Sequence, residues 1–262
     1  MSFLKNKVYG TLGIIGINIP KMTCFFSNIS QYKADKRELT KQAGKNNLFP
    51  YGSNKIILED RFDESGAASG HYFHQDMVVA KKIYNNNPVR HVDIGSRTDG
   101  FVAHVAIFRE IEVFDIREQK SVVKNIIFKK ADLMQLPEDM HDYCDSISAL
   151  HSIEHFGLGR YGDPIDFYGH EKAISNITKI LKKGGRFYFS VPIGPQRINF
   201  NAHRVFSVNY LIQLLEKDFE VISFSYVNDM GDLVENVELK NPALEQNFGC
   251  NYGCGIFELL KK

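Results

Sequence analysis

Hydrophobic and polar positions fall into a regular order from His71 onward and into no clear order before it. The mixed run Gln75–Tyr84 predicts a helix, stopped by Asn85-Asn86-Asn87-Pro88. Val89–Ile94 reads as a strand, Gly100–Arg109 as a helix and Ile111–Ile116 as a second strand. Asn125–Lys129 and Ser146–Leu150 follow as strands, then an apolar-periodic helix over Tyr168–Leu181. That helix ends at Lys182-Lys183-Gly184-Gly185, basic residues and then glycine, as a helix stop requires. Arg186–Val191 predicts a strand closed by Pro192, Ser207 caps a helix through Leu215, and Glu220–Val227 and Gly255–Leu260 close the series as strands.

Strands alternating with helices imply βαβ units and a parallel sheet covered on both faces. The last two strands have no clear helix between them, which predicts an antiparallel closing strand. The expected fold is therefore α/β, doubly wound, with a mostly parallel seven-stranded sheet and an antiparallel C-terminal strand. Residues 71–262 form this domain. Residues 1–70 read as a basic N-terminal extension or lid: residues 1–60 carry nine Lys/Arg and four Asp/Glu, 9 − 4 = +5, with turn signals at Asn46-Asn47 and Pro50-Tyr51-Gly52.

Composition narrows the function classes. The 262-residue chain has 44% hydrophobic and 24% charged residues and a formal net charge of +1, which argues against disorder and against a nucleic-acid partner. Four cysteines in a chain of this length make no disulfide framework; they read as reduced, with Cys250-x-x-x-Cys254 the one spacing that suggests a thiolate pair. The apolar stretch Val8–Ile19 contains three glycines and Asn18 and falls short of the ~20 residues a bilayer span needs. Lys5 and Lys7 ahead of it imitate a secretory signal, but no small-x-small cleavage site follows. The expectation is a cytoplasmic protein without stable membrane insertion.

The first strand runs Val92-Asp93-Ile94-Gly95 and turns through Ser96-Arg97-Thr98-Asp99 to Gly100. Gly95 permits a tight turn and close approach of a ligand. Asp115, at the end of the second strand, is placed to accept from ribose hydroxyls, and Asp132, after the third, from an adenine amino group. Together these three predict an adenosine site. Arg97 stands where a dinucleotide loop needs its second glycine, and no G-x-x-x-x-G-K-[ST] occurs, so the site is expected to hold an adenosine without phosphates.

Asp93-Ile94-Gly95, Asp115, Ala131-Asp132-Leu133, Leu150-His151-Ser152-Ile153-Glu154-His155 and Leu181-Lys182-Lys183-Gly184-Gly185-Arg186 resemble class I S-adenosylmethionine-dependent methyltransferases, over residues 71–262. The resemblance implies S-adenosylmethionine as cofactor and S-adenosylhomocysteine as product. It puts Gly95 and Ser96 beside the methionine part, Asp115 and Ile116 at the ribose, and Asp132 and Leu133 at the adenine. Tyr72, Gln75 and His151 complete the cofactor set, and Arg97, a departure from D-x-G-x-G-x-G, is expected to meet the cofactor carboxylate. A narrower similarity, carried by Gly157-Leu158-Gly159-Arg160-Tyr161-Gly162-Asp163 and Phe200-Asn201-Ala202-His203-Arg204-Val205, is to a small methyltransferase group catalogued as a domain of unknown function. Its members look like tailoring enzymes of bacterial surface polysaccharides, acting on sugar hydroxyls of nucleotide-linked substrates. In that group the Tyr72-Phe73-His74-Gln75 element also precedes the first strand, as a cofactor lid.

Methyl transfer to a sugar hydroxyl needs alignment and a base. His155 and His203 are the leading candidates, with Asp163 a further one; Arg160, Tyr161 and Arg204 are expected to bind the substrate, the two arginines at a diphosphate. His151-Ser152-Ile153-Glu154-His155 also satisfies H-x-x-E-H, but it leaves a strand instead of sitting inside a helix, which rules out that peptidase chemistry. A divalent ion on His151, Glu154 and His155, as in similar quinone-biosynthesis O-methyltransferases, is the less favoured alternative to a metal-free site. Other readings are an amine or phenol methyltransferase, a non-catalytic S-adenosylmethionine-binding module and a nicotinamide dehydrogenase. The last is opposed by the missing G-x-G-x-x-G. The partner is a small molecule, and a homo-oligomer stays open.

Overall fold

The computed structural model describes residues 19–45, 48–50, 52–58, 60–61, 65–135 and 140–262. The Val8–Asn18 part of the apolar stretch, Lys5, Lys7, Asn46-Asn47 and Tyr51 lie outside these residues. Two compact units divide the chain, Met1–Ala67 and Ala68–Lys262.

In the first unit, a helix spans Ile19–Ala43. Its support is local and polar: Gln31 donates to Asp35 at 2.8 Å and Gln42 to Glu38 at 2.9 Å, each one turn apart. Asn28 reaches the Leu58 carbonyl at 3.0 Å, which ties the following extended segment to the helix. Among the described residues no helix is long and apolar enough to cross a membrane.

The second unit holds the strands β1 (His91–Ile94), β2 (Ile111–Asp115), β3 (Ile126–Lys130), β4 (Cys144–Leu150) and β5 (Leu181–Ile193). After these come β6 (Arg197–Asn199), β7 (His203–Val205), β8 (Phe219–Val227), β9 (Leu233–Val234) and β10 (Gly253–Lys261). The main sheet has the order β3-β2-β1-β4-β5-β10-β8-β9. The strands from β3 to β5 pair in parallel, and β10 is antiparallel to both β5 and β8. The expected α/β architecture with its antiparallel C-terminal strand is therefore present, with an eighth, two-residue strand added at the edge beside β8. A separate hairpin of β6 with β7 was not foreseen; it lifts His203 and Arg204 out of the β5–β8 connection.

Helices cover both faces. Ala173, Ile174, Ile177 and Ile180 of the helix Gly169–Ile180, with Leu211 and Leu215 of Val208–Leu215, pack with Val92, Ile147 and Phe189. On the opposite face Val79, Ala80 and Ile83 of the helix His71–Asn86 pack with Val102, Val105, Ile111 and Tyr188. Ser207 caps its helix as expected, its hydroxyl accepting from the Tyr210 amide. The helix expected over Gly100–Arg109 is a wide turn, Thr98–Val102, followed by one short helical stretch, Ala103–Ala106. The chain must leave this helix early, because β2 begins at Ile111.

Candidate active site

β1 and β4 are adjacent and their connections lie on opposite sides of β1, so a crevice opens at the carboxyl ends of these strands. A cleft of about 570 Å3 occupies that place, lined on one side by Gly95, Asp115, Ile116, Asp132 and Leu133. His155, Arg160, Tyr161 and His203 line the other side. Tyr72, Arg97, His151 and Asp163 also reach it. Gln75, Ser96 and Arg204 do not line it.

The first wall is set by strand ends. Buried Asp93 accepts from the Ser96 amide at 2.9 Å, the Ser96 hydroxyl at 2.7 Å and the Ser148 hydroxyl at 2.5 Å, which fixes the turn after β1. Burial pushes the Asp93 carboxyl up to about 6, and that of its buried neighbour Asp76 likewise to about 6. Gly95 has φ +68°, and a Cβ there would stand 3.3 Å from the Ser152 Cβ. The glycine thus serves both backbone conformation and close approach. Ser152 itself faces the cleft with a buried hydroxyl that has no hydrogen-bond partner.

Ser96, expected beside the methionine part, instead holds the turn from beneath: its hydroxyl bonds Asp93 and accepts from the Leu150 amide at 3.2 Å. Gln75 is likewise structural, buried and accepting from the Ser190 hydroxyl at 2.6 Å. Asp115 accepts from the Arg117 amide at 2.8 Å and from its guanidinium at 3.0 and 2.7 Å. Asp132 accepts from the Met134 amide at 2.9 Å. Arg97, mostly exposed, pairs with Asp99 at 2.9 Å and lies over the Tyr72 ring.

The second wall is held by side chains reaching backbone. Asp163 accepts from the amides of Gly157 (2.8 Å), Gly159 (3.1 Å) and Tyr161 (3.2 Å), so its carboxylate organises the loop and is not free to serve as a base. Arg204 is corrected for a similar reason. Its buried guanidinium donates to the carbonyls of Glu154, Phe156, Asp166 and Phe167, the nearest at 2.6 Å, and is unavailable to a diphosphate. Gly157, at φ +76°, admits no side chain, because a Cβ would lie 2.0 Å from the Asp166 carbonyl oxygen.

His155 Nδ1 lies 2.6 Å from the Ala202 carbonyl, which can only accept, so Nδ1 carries the proton and Nε2 the lone pair. Burial pulls this imidazole below its ordinary pKa, keeping it neutral near pH 7. The Glu154 carboxylate stands 3.7 Å from Nε2. His203 accepts from the Asn199 amide at Nε2, 3.2 Å away, and burial lowers it as well. His151 donates from Nδ1 to Glu154 at 2.8 Å. Burial opposes its protonation, but the Cys254 sulfur and the Glu154 carboxylate raise its pKa well above the ordinary value. Glu154 is in turn held below the usual carboxylate range by His151 and His155, against the pull of burial. The segment Ile153–His155 is a single tight turn, not a helix, as the rejection of the peptidase pattern requires.

Four lining or supporting residues escaped the sequence reading. Arg117 follows Asp115 by two positions and lies 4.4 Å over the Tyr161 ring, a spacing that would have been a signal. Asp76 shares the buried face of its helix with Val79, Ala80 and Ile83, so an acid at a core position was its signal. Tyr252 lines the cleft without any sequence mark, and Ser152 lies inside the Leu150–His155 run without a role of its own there.

Comparison with known proteins adds the fold's relatives. The [4+2]-cyclase SpnF is 14% identical, over 72% of this chain and 80% of that chain, with a TM-score of 0.52. The 1,6-didemethyltoxoflavin-N1-methyltransferase of Burkholderia thailandensis, solved with 1,6-didemethyltoxoflavin and S-adenosylhomocysteine, is 13% identical over 89% of this chain and 90% of that chain, with a TM-score of 0.50. These likenesses show a Rossmann-like methyltransferase fold. A cyclase among them illustrates that the fold alone does not fix the reaction. Among curated proteins no sequence matches the chain. A family model described as "Caenorhabditis protein of unknown function, DUF268" matches residues 102–250.

Proposed function

This chain belongs to the DUF268 family, and from that premise and the two-walled cleft we propose an S-adenosylmethionine-dependent O-methyltransferase acting on a sugar hydroxyl, the sugar being nucleotide-activated for surface polysaccharide. The observation that carries the reading is the juxtaposition of Gly95, Asp115 and Asp132 on one wall with the neutral, lone-pair-bearing Nε2 of His155 on the other. The cleft's volume suits a small-molecule site. Four unpaired cysteines agree with a reducing, cytoplasmic setting.

When bound, S-adenosylmethionine supplies a methyl group on a sulfonium. Gly95 would let the backbone approach the cofactor, Asp115 would take the ribose hydroxyls in exchange for Arg117, and Asp132 would serve the adenine. His155 would accept the acceptor's hydroxyl proton at Nε2, the new oxygen–methyl bond forming as the methyl–sulfur bond breaks and S-adenosylhomocysteine leaves. Glu154 then stabilises the imidazolium across the 3.7 Å gap. Arg160, whose exposed guanidinium also donates to the Ala202 carbonyl at 3.0 Å, stands at the same wall for a diphosphate, and the Tyr161 ring packs against the guanidinium groups of both Arg117 and Arg160.

Isothermal titration with S-adenosylhomocysteine, run beside NAD, tests the reading. Micromolar binding of the former alone supports it and opens a screen of nucleotide sugars for the mass gain of one methyl group. Binding of NAD without S-adenosylhomocysteine overturns it.

A further inference from the structure

His151 belongs to a cluster whose other two members, His71 and Cys254, the methyl-transfer reading does not use. One ligand atom each from His71, His151 and Cys254 lies within 4.8 Å of the others. The three come from separate elements: the first residue of the helix His71–Asn86, the turn after β4, and β10. His151 is 8% exposed, and its Nε2 is buried with no hydrogen-bond partner. Its other nitrogen is held by Glu154 at 2.8 Å, the arrangement by which a carboxylate orients a metal-bound imidazole. Cys254 is fully buried, with only long contacts of 3.8 Å to the Gln75 and Gly255 oxygens.

We propose that His71, His151 and Cys254 form a transition-metal site of the zinc class, with Glu154 as the outer partner of His151. Nitrogen and thiolate ligands together select zinc-like ions over magnesium or calcium. Zinc bonds of about 2.0–2.1 Å to nitrogen and 2.3 Å to sulfur require the ligand atoms to draw inward. The His71 ring, at the first residue of its helix, lies parallel to that of His151 with centroids 5.2 Å apart, so ligation requires it to turn its edge toward the ion. Three protein ligands leave a fourth position for water or a substrate oxygen. Of the three ligands His151 lines the cleft, while His71 and Cys254 stand back from it. This set differs from His151, Glu154 and His155: Glu154 becomes an outer partner and His155 keeps its lone pair. The ion replaces the thiol proton and any proton on His151 Nε2, so its binding releases protons and strengthens as pH rises.

The test is cobalt(II) titration of the chelator-treated full chain, read by optical absorption, with zinc as competitor. Expected is a thiolate-to-cobalt charge-transfer band that saturates at one ion per chain and is bleached by zinc. Cys254→Ser abolishes the band, while Cys250→Ser, which changes the neighbouring buried thiol, retains it. Glu154→Gln keeps the band but weakens affinity ~10–100-fold, as loss of an outer partner does. His71→Ala, at a half-buried position, weakens binding without depending on the core around Cys254. No charge-transfer band in the wild-type chain, or a band that survives Cys254→Ser, overturns the site. Neither outcome depends on S-adenosylhomocysteine binding, which is measured separately.

Discussion

The two walls of the cleft are made by different physics. On the proposed function one wall takes the cofactor and the other the acceptor; the cofactor wall is a consequence of the sheet, for parallel register brings the ends of β1, β2 and β4 together, and one buried carboxylate, Asp93, locks the turn. The acceptor wall has almost no regular structure of its own. It is assembled by charged side chains capping backbone groups, Asp163 on three amides and Arg204 on four carbonyls. A wall made of strand ends is rigid and generic. A wall made of side-chain clamps can be redrawn by a few substitutions, which is where acceptor specificity belongs.

The sharpest separation of the walls is expected at His155. Replacing it with alanine removes the base and lowers kcat ~10²–10⁴-fold, while S-adenosylhomocysteine affinity stays within about twofold by titration calorimetry. Because burial holds this imidazole below its ordinary pKa, kcat/KM is expected to fall only on the acid side of the ordinary histidine range, where His155 becomes protonated. A fall that begins above pH 7 assigns the base to neither His155 nor His203, since burial lowers both imidazoles. Arg204→Leu attacks the acceptor wall as a whole. Its buried guanidinium leaves four carbonyls without their donor, so thermal or denaturant unfolding is expected to show a loss of about 2–4 kcal/mol. Cofactor affinity again changes little if the walls are independent. A parallel loss of S-adenosylhomocysteine binding shows instead that they form one cooperative unit.

The same division governs what the sequence revealed. Strand positions were readable because β-branched and aromatic runs such as Ile111–Phe114 alternate with turn residues, and the strand ends carry Gly95, Asp115 and Asp132 into one place. On the acceptor side the residues were found but some roles were not. Asp163 and Arg204 looked like free chemistry because their partners are backbone groups of loops distant in sequence, and backbone leaves no mark on a sequence. The hairpin β6–β7 is too short, at three residues a strand, to show alternation. Helix Ile19–Ala43 was missed because it has no continuous apolar face; Phe26 and Leu39 are exposed, and its support is polar. Cys254, His71 and His151 lie 80 to 183 positions apart, so no ligand spacing flags them.

On the cofactor wall, Gly95→Ala tests whether the turn is fixed by conformation or by contact. A residue with a side chain at φ +68° carries about 1–2 kcal/mol of strain, and the added methyl group meets Ser152. S-adenosylhomocysteine affinity is expected to fall about tenfold. In a Ser152→Gly background part of that loss returns if contact contributes, and none returns if the backbone alone decides.

The smallest effect is expected where the walls touch. Arg117 grips Asp115 from the cofactor side and lies over Tyr161 of the acceptor loop, so it joins the two. About half of its side chain is exposed, and pairs of that kind are worth ~0.2–1 kcal/mol after solvent screening. If ribose hydroxyls must displace it, Arg117→Ala tightens S-adenosylhomocysteine binding by up to about fivefold, the equivalent of that energy. Raising the ionic strength narrows the difference between wild type and variant, because the competition is electrostatic. Weaker binding in the variant reverses the assignment: Arg117 then holds the cofactor directly, and the boundary between the walls shifts to place it wholly on the first.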